Sequence, residues 1–192
     1  MPYFFTLSDD QIYSHFMAVA EAAPSMPMLL YAFPGNAKND ISPALLERLL
    51  KGAPNIVGIK SSNDDLIRFQ DYVKTGGKGF TACFGVDELM LGGLVFGSQA
   101  QISGNANSFP EPVIQLYEAF QAGNIQLAQE LQLIVNAIVG IHRAGRTPAF
   151  FKATLKLRGI PAGRVRSPMC ELTAEELKEV RKEVEKLDLI SI

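Results

Sequence analysis

Two residues of this chain stand where covalent chemistry could be done. Lys60 closes the short apolar run Asn55-Ile56-Val57-Gly58-Ile59-Lys60, which Ser61-Ser62-Asn63 then ends. A run of that length between turn residues reads as a strand buried on both faces. Tyr31 stands near the end of the preceding run, Leu30-Tyr31-Ala32-Phe33-Pro34. An ammonium at the end of a dry strand is costly unless it is paired, hydrated or neutral. Desolvation favours the neutral amine, which is a nucleophile. An amine attacking a ketone needs protons moved at each step, and a tyrosine hydroxyl both donates and accepts. Neighbouring parallel strands lie about 4.8 Å apart, so the two groups can converge at one rim of a sheet. Taken singly, Lys60 is an ordinary strand-end lysine reaching water and Tyr31 an aromatic capping the interior. The pairing makes the chemical reading the stronger one. Gly58, on the face of Lys60, reads as room left beside the lysine.

The same rim collects other polar and glycine-rich segments. Gly85-Val86-Asp87-Glu88 follows a third apolar run, and Ser103-Gly104-Asn105-Ala106-Asn107 follows a fourth. Asp87 and Glu88 have two readings, a helix N-terminal pair favourable to the dipole or ligands for substrate hydroxyls. Gly85 and Gly104 either allow close backbone approach to a ligand or serve as turn residues. His15 and His142 lie within helices and read as structural or surface residues. Arg143, Arg146 and Lys152 read as a solvated face.

To position these residues the chain must alternate strand and helix. The expected order is a helix from the capping box Ser8-Asp9-Asp10-Gln11 with Ile12, Phe16, Val19, Ala20 and Ala23 at helical spacing, then a strand over 28–33. Next come a helix opened by Ser42-Pro43, the Lys60 strand, a helix over 64–73, a strand over 80–84, a helix over 87–96, a strand over 99–103 and a helix over 110–122. Strict βα alternation implies right-handed crossovers and a parallel sheet. After Gly123 only helices are expected: 125–143 with Leu127, Leu131, Ile134 and Ile138 on one face, 147–157, and one from the capping box at Thr173 to about Leu187. No GxGxxG or Walker A loop is present, which disfavours a nucleotide-binding sheet.

Composition bounds the partners. The formal net charge is -2 with no basic run, so nucleic acid is not an expected partner. The two cysteines, Cys83 and Cys170, lie far apart without metal-ligand spacing. That fits reduced thiols in a cytoplasmic protein, with neither metal nor cofactor expected. No apolar run approaches the roughly 18 residues of a membrane span. The start, Met1-Pro2-Tyr3-Phe4-Phe5, lacks the basic region of a signal peptide and reads like the tail of a strand.

Leu30-Tyr31-x-x-Pro34, then Gly58-Ile59-Lys60, then Phe84-Gly85-Val86-Asp87-Glu88 resembles the dihydrodipicolinate synthase / N-acetylneuraminate lyase family. Pro2-Tyr3-Phe4 and Tyr13-x-His15-Phe16 are similar to that family's segment around its fourth barrel strand. The resemblance runs over nearly the whole chain, and the tyrosine-then-lysine pairing is its most specific part. It implies a (β/α)₈ TIM barrel and class I aldolase chemistry, with Lys60 forming a Schiff base with pyruvate or another 2-oxo acid and Tyr31 shuttling protons. Gly85, Asp87 and Glu88 match a segment that binds substrate hydroxyls in the sialic-acid lyase branch, and Gly104 stands where that branch has a small polar residue. Ala32 replaces an asparagine common after the tyrosine, and no aldehyde partner is chosen.

A full barrel needs eight βα units over about 250 residues, and this chain supplies about four. The family's Gly-Thr/Ser carboxylate-binding loop has no counterpart here. The expectation is an α/β chain holding the last four βα units of a barrel (1–123) and a C-terminal three-helix extension (124–192). The functional expectation is an aldolase-type lyase taking a 2-oxo acid and an aldehyde. The alternative is a catalytically inactive fragment, a half-barrel that assembles with another chain. Unpaired strand edges and an exposed apolar interior favour a homo-oligomer in either case.

Overall fold

A computed structural model describes residues 1–189 of the chain. It forms two compact units, one of Met1–Ile102 and one from Ser103 onward.

The first unit carries the sheet. Its strands β1 (Met28–Ala32), β2 (Ile56–Ser61), β3 (Thr81–Phe84) and β4 (Ala100–Gln101) stand side by side in chain order, all parallel. The helices between them are α1 (Asp9–Ala22) before β1, the short α2 (Pro34–Ala37), α3 (Pro43–Gly52), α4 (Leu66–Gly76) and α5 (Met90–Val95). The α/β alternation read from sequence is therefore present, with a parallel sheet of four strands.

Local chemistry explains most boundaries. Ser8 and Gln11 cap α1 reciprocally, with Ser8 N–H donating to Gln11 Oε1 at 2.9 Å. Ser42 Oγ accepts from Leu45 N–H at 3.0 Å, and Pro43 takes the first helical position of α3. Asp65 caps α4, which runs from Leu66 to Gly76 where a helix over 64–73 is expected. The helix expected over 87–96 opens as a 3₁₀ turn at Asp87–Leu89 and becomes α-helical only from Met90. Strand β4 is two residues long instead of five. Side chains take over the ladder there: Ser98 Oγ accepts from Phe84 N–H at 3.0 Å and Gln99 Oε1 from Ala82 N–H at 2.7 Å.

Alternation along the strands sorts their residues between two faces. Leu30, Ala32, Ile59, Ala82 and Phe84 are buried against Ile12, Phe16 and Ala20 of α1, Leu45, Leu46 and Leu49 of α3, and Phe69 and Tyr72 of α4. Tyr31 and Lys60 lie on the other face, with Leu29, which remains 45% exposed. Val19 of α1, expected on the buried stripe, is exposed. Gly58 is filled around by its ladder partners: a Cβ there would stand 2.5 Å from Thr81 O and 3.0 Å from Leu29 Cγ. The close approach of β1 and β3 excludes a side chain at that position, so its bareness is not room for Lys60.

The second unit is helical: α6 (Pro110–Gln121), α7 (Ile125–Ile141), α8 (Pro148–Leu157) and α9 (Ala174–Lys186). The capping box at Thr173 and Glu176 opens α9. The buried stripe of α7 is Ala128, Leu131, Val135, Ile138, Val139 and Ile141, with Leu127 exposed. That helix is apolar on more than one side, so periodicity alone could not choose its inner face. Phe109, Ile138, Ile141, Phe150, Val180 and Val184 form a common core.

A polar cluster runs through this core. His142, fully buried, pairs Nδ1 with Asn105 Oδ1 at 2.7 Å and Nε2 with Thr154 Oγ1 at 3.0 Å. Thr154 Oγ1 donates to Ser108 Oγ at 2.9 Å. Buried polar groups must be satisfied in this way, and His142 is a structural residue, while His15 lies exposed on α1. Of the face read as solvated, Arg146 is exposed, while Arg143 and Lys152 are half-buried, and all three make specific contacts. Arg143 pairs with Glu183 at 3.0 Å, Arg146 with Glu176 at 3.3 Å, and Lys152 Nζ donates to Ala162 O at 2.5 Å. Each arginine meets a carboxylate of α9, which sequence spacing could not reveal.

Candidate functional site

The ladder sets Tyr31 and Lys60 directly side by side, since they are partners in the β1–β2 register. Lys60 Nζ donates to Tyr31 Oη at 3.3 Å and lies 4.4 Å from the centre of the phenol ring. The Tyr31 ring stacks on Phe33, with centroids 5.8 Å apart. Lys60 is half-buried and Tyr31 39% exposed, so amine and phenol are both reachable from the open face of the sheet. A charged or neutral amine held against a phenol can exchange a proton with it.

Two further groups complete the surroundings. Ser62, immediately after β2, places its Oγ 3.2 Å from Tyr31 Oη. Its backbone N–H continues the ladder to Ala32 O at 2.9 Å. Sequence reading missed Ser62, although a period of two from Lys60 puts it on the same face. Gly85 follows β3. A Cβ there would stand 2.6 Å from Ser62 Oγ and 2.7 Å from Lys60 Cε. The space beside the lysine is therefore supplied by Gly85 and not by Gly58. Cys83 is the partner of Lys60 on the β3 side. Burial pushes its thiol above the ordinary range, opposed by the positive charge of Lys60.

The remaining residues singled out by sequence separate. Asp87 is 5% exposed, and its Oδ1 accepts from Gln101 Nε2 at 2.7 Å, tying the turn after β3 to β4. Glu88, beside it in the 3₁₀ turn, is exposed. Gly104 belongs to the second unit. Its φ is -71°, an ordinary helical value, and a Cβ would meet nothing nearer than Phe151 Cζ at 3.9 Å. Neither backbone conformation nor packing requires glycine there.

Among the described residues, no group of three or more histidine, cysteine, aspartate or glutamate side chains could hold a metal ion. No helix among them is long and apolar enough to cross a membrane.

Known proteins match this chain along its length. 4-Hydroxy-tetrahydrodipicolinate synthase of Archaeoglobus fulgidus is 32% identical over 190 residues, 99% of this chain and 65% of that protein. Among solved structures, a Ruminococcus gnavus sialic acid aldolase with its catalytic lysine mutated superposes with a TM-score of 0.89 at 26% identity, over 99% of this chain and 63% of that one. YagE, a prophage protein of the dihydrodipicolinic acid synthase family from E. coli solved in complex with pyruvate, superposes with a TM-score of 0.88 at 25% identity, over 98% of this chain and 64% of that one. The chain thus spans less than two thirds of the length of these relatives. The sequence profile of the dihydrodipicolinate synthetase family matches residues 1–187. This chain belongs to that family.

Proposed function

We propose that this protein is an aldolase-type lyase in which Lys60 forms an imine with pyruvate or another 2-oxo acid and Tyr31 carries the protons. The observation that carries this reading is the 3.3 Å contact between Lys60 Nζ and Tyr31 Oη on the open face of the sheet. The pyruvate-bound relative and the relative with a catalytic lysine support the substrate class and the nucleophile.

In the first step the amine attacks the keto carbon, a C–N bond forms, and a proton moves from nitrogen to the former carbonyl oxygen. Loss of water, with a second proton delivered to the departing hydroxyl, leaves the protonated imine. That cation takes up the electron pair when a carbon–carbon bond breaks between the positions α and β to the imine carbon, while the proton of the β-hydroxyl passes to the Tyr31 oxygen, releasing an aldehyde and an enamine. The reverse sequence forms the bond. Tyr31 is the group within reach for each proton transfer.

The same reading sets Gly85 beside the reacting amine and Glu88 toward the hydroxyls of the aldehyde partner, with Asp87, buried on Gln101, holding the turn that carries Glu88. It takes residues 1–123 as four βα units of a barrel and 124–192 as a three-helix extension, in a cytoplasmic homo-oligomer. This division follows the architecture of a barrel, whereas the compact units part at Ile102.

A second reading is a catalytically silent half-barrel that assembles with another chain. It draws on the exposure of Leu29 at 45% and Tyr31 at 39%, which leaves the amine on an open and not a dry surface. Borohydride reduction in the presence of pyruvate, read by intact mass, separates the two. A covalent adduct that disappears in Lys60→Ala is the result expected of the lyase. No adduct at millimolar pyruvate overturns it in favour of the silent half-barrel.

A further inference from the structure

Tyr31 is held between two polar groups, not one. Lys60 Nζ donates to its Oη at 3.3 Å, and Ser62 Oγ lies 3.2 Å from the same oxygen. A phenol has one hydrogen and can also accept, whereas an ammonium can only donate. While Lys60 is an ammonium, the phenol hydrogen is therefore directed at Ser62. When Lys60 becomes a free amine it accepts, the phenol hydrogen turns toward it, and the other side of the phenol oxygen needs a donor. A serine hydroxyl meets both requirements by rotating about a single bond. Nucleophile, proton carrier and a third group that orients the carrier form the pattern expected of an activated nucleophile.

Ser62 is also fixed in place. Its N–H is bound to Ala32 O at 2.9 Å, and the bare Cα of Gly85 leaves the space its Oγ occupies. We propose that Ser62 is a positioning residue that sets the direction of the Tyr31 hydroxyl during imine formation at Lys60. This rests on the reading of Lys60 as the Schiff-base lysine, and it adds a residue to that site.

The test compares wild type, Ser62→Ala and Ser62→Thr in two reactions. Formaldehyde with cyanoborohydride labels amines without any carboxylate to bind, and peptide mass reports the rate at Lys60 against the exposed Lys51 as internal standard. Pyruvate with borohydride reports imine formation with the proposed substrate class. Ser62→Ala is expected to slow both at Lys60 by about tenfold, the worth of one oriented hydrogen bond. Half-saturating pyruvate should stay unchanged, and Ser62→Thr should restore the rates. Equal rates in wild type and Ser62→Ala, or failure of threonine to restore them, overturn the proposal. If pyruvate gives no adduct even in wild type, the 2-oxo acid reading falls, and the formaldehyde rates still decide the role of Ser62.

Discussion

A side chain on Gly85 would stand 2.7 Å from Cε of Lys60, so the space around the amine is set from the neighbouring strand. It would also stand 2.6 Å from Ser62 Oγ and 3.1 Å from Ser61 O; the two nearest atoms are side-chain ends that can shift, so Gly85→Ala should fold and displace both the ammonium and the serine hydroxyl from Tyr31. Misplacement by about 1 Å can cost roughly 10²-fold in rate. Gly58→Ala makes the contrast, because its Cβ would strike the Thr81 carbonyl oxygen at 2.5 Å. Overpacking against backbone costs about 1–3 kcal/mol. Melting temperature should fall further for Gly58→Ala than for Gly85→Ala, whose nearest backbone atom is at 3.1 Å and not 2.5 Å, while borohydride trapping should fall for Gly85→Ala.

Adjacent serines should behave oppositely. Ser61 is 1% exposed, faces the helices, and its Oγ has no hydrogen-bond partner among the described residues. An unsatisfied buried hydroxyl costs about 1–3 kcal/mol. Ser61→Ala should raise the midpoint of urea unfolding and leave the amine's reactivity alone. A lower midpoint would show that the hydroxyl is satisfied.

Asp87 and Glu88 should part in the same manner. Asp87→Ala removes a buried carboxylate that accepts from Gln101 at 2.7 Å and should cost about 1–3 kcal/mol in denaturant unfolding. Glu88→Gln, on an exposed side chain, should leave unfolding unchanged. If Glu88 meets a hydroxyl of the aldehyde partner, its substitution should raise KM for polyhydroxylated aldehydes and leave imine formation with pyruvate unaltered.

Acid should weaken the helical unit through Glu111. Its hydrogen bond to Arg158 holds the carboxyl below the ordinary value of 4.5. A carboxylate lowered in the fold stabilises it above the unfolded value, and this contribution fades as pH falls through the folded one. Stability measured by urea should therefore decline below about pH 4.5, and Arg158→Met should flatten that decline. Arg158 also donates to Ser108 O, so a matched Glu111→Gln variant isolates the pH term from lost packing.

Much of this protein can be read from the chain alone. The alternation of strand and helix and the caps at Ser8, Ser42 and Thr173 follow from local rules, and the place of Tyr31 and Lys60 near the ends of consecutive strands is legible from the runs that carry them. Capping is decided within four residues; the β1–β2 register that sets Tyr31 opposite Lys60 is an outcome of strand pairing. Contacts across strands follow no such rule. Gly85 rather than Gly58 clears the lysine, Ser62 joins Tyr31, Gln101 claims Asp87, and α9 claims Arg143 and Arg146. Each depends on where a distant segment comes to rest within a few ångströms, which is settled by packing of the whole unit. The sequence thus determined which groups could react and which strands carry them. The tertiary structure alone decided which neighbours leave them space and orient their protons, because steric clearance and hydrogen-bond partnership are properties of atoms brought together from far apart in the chain.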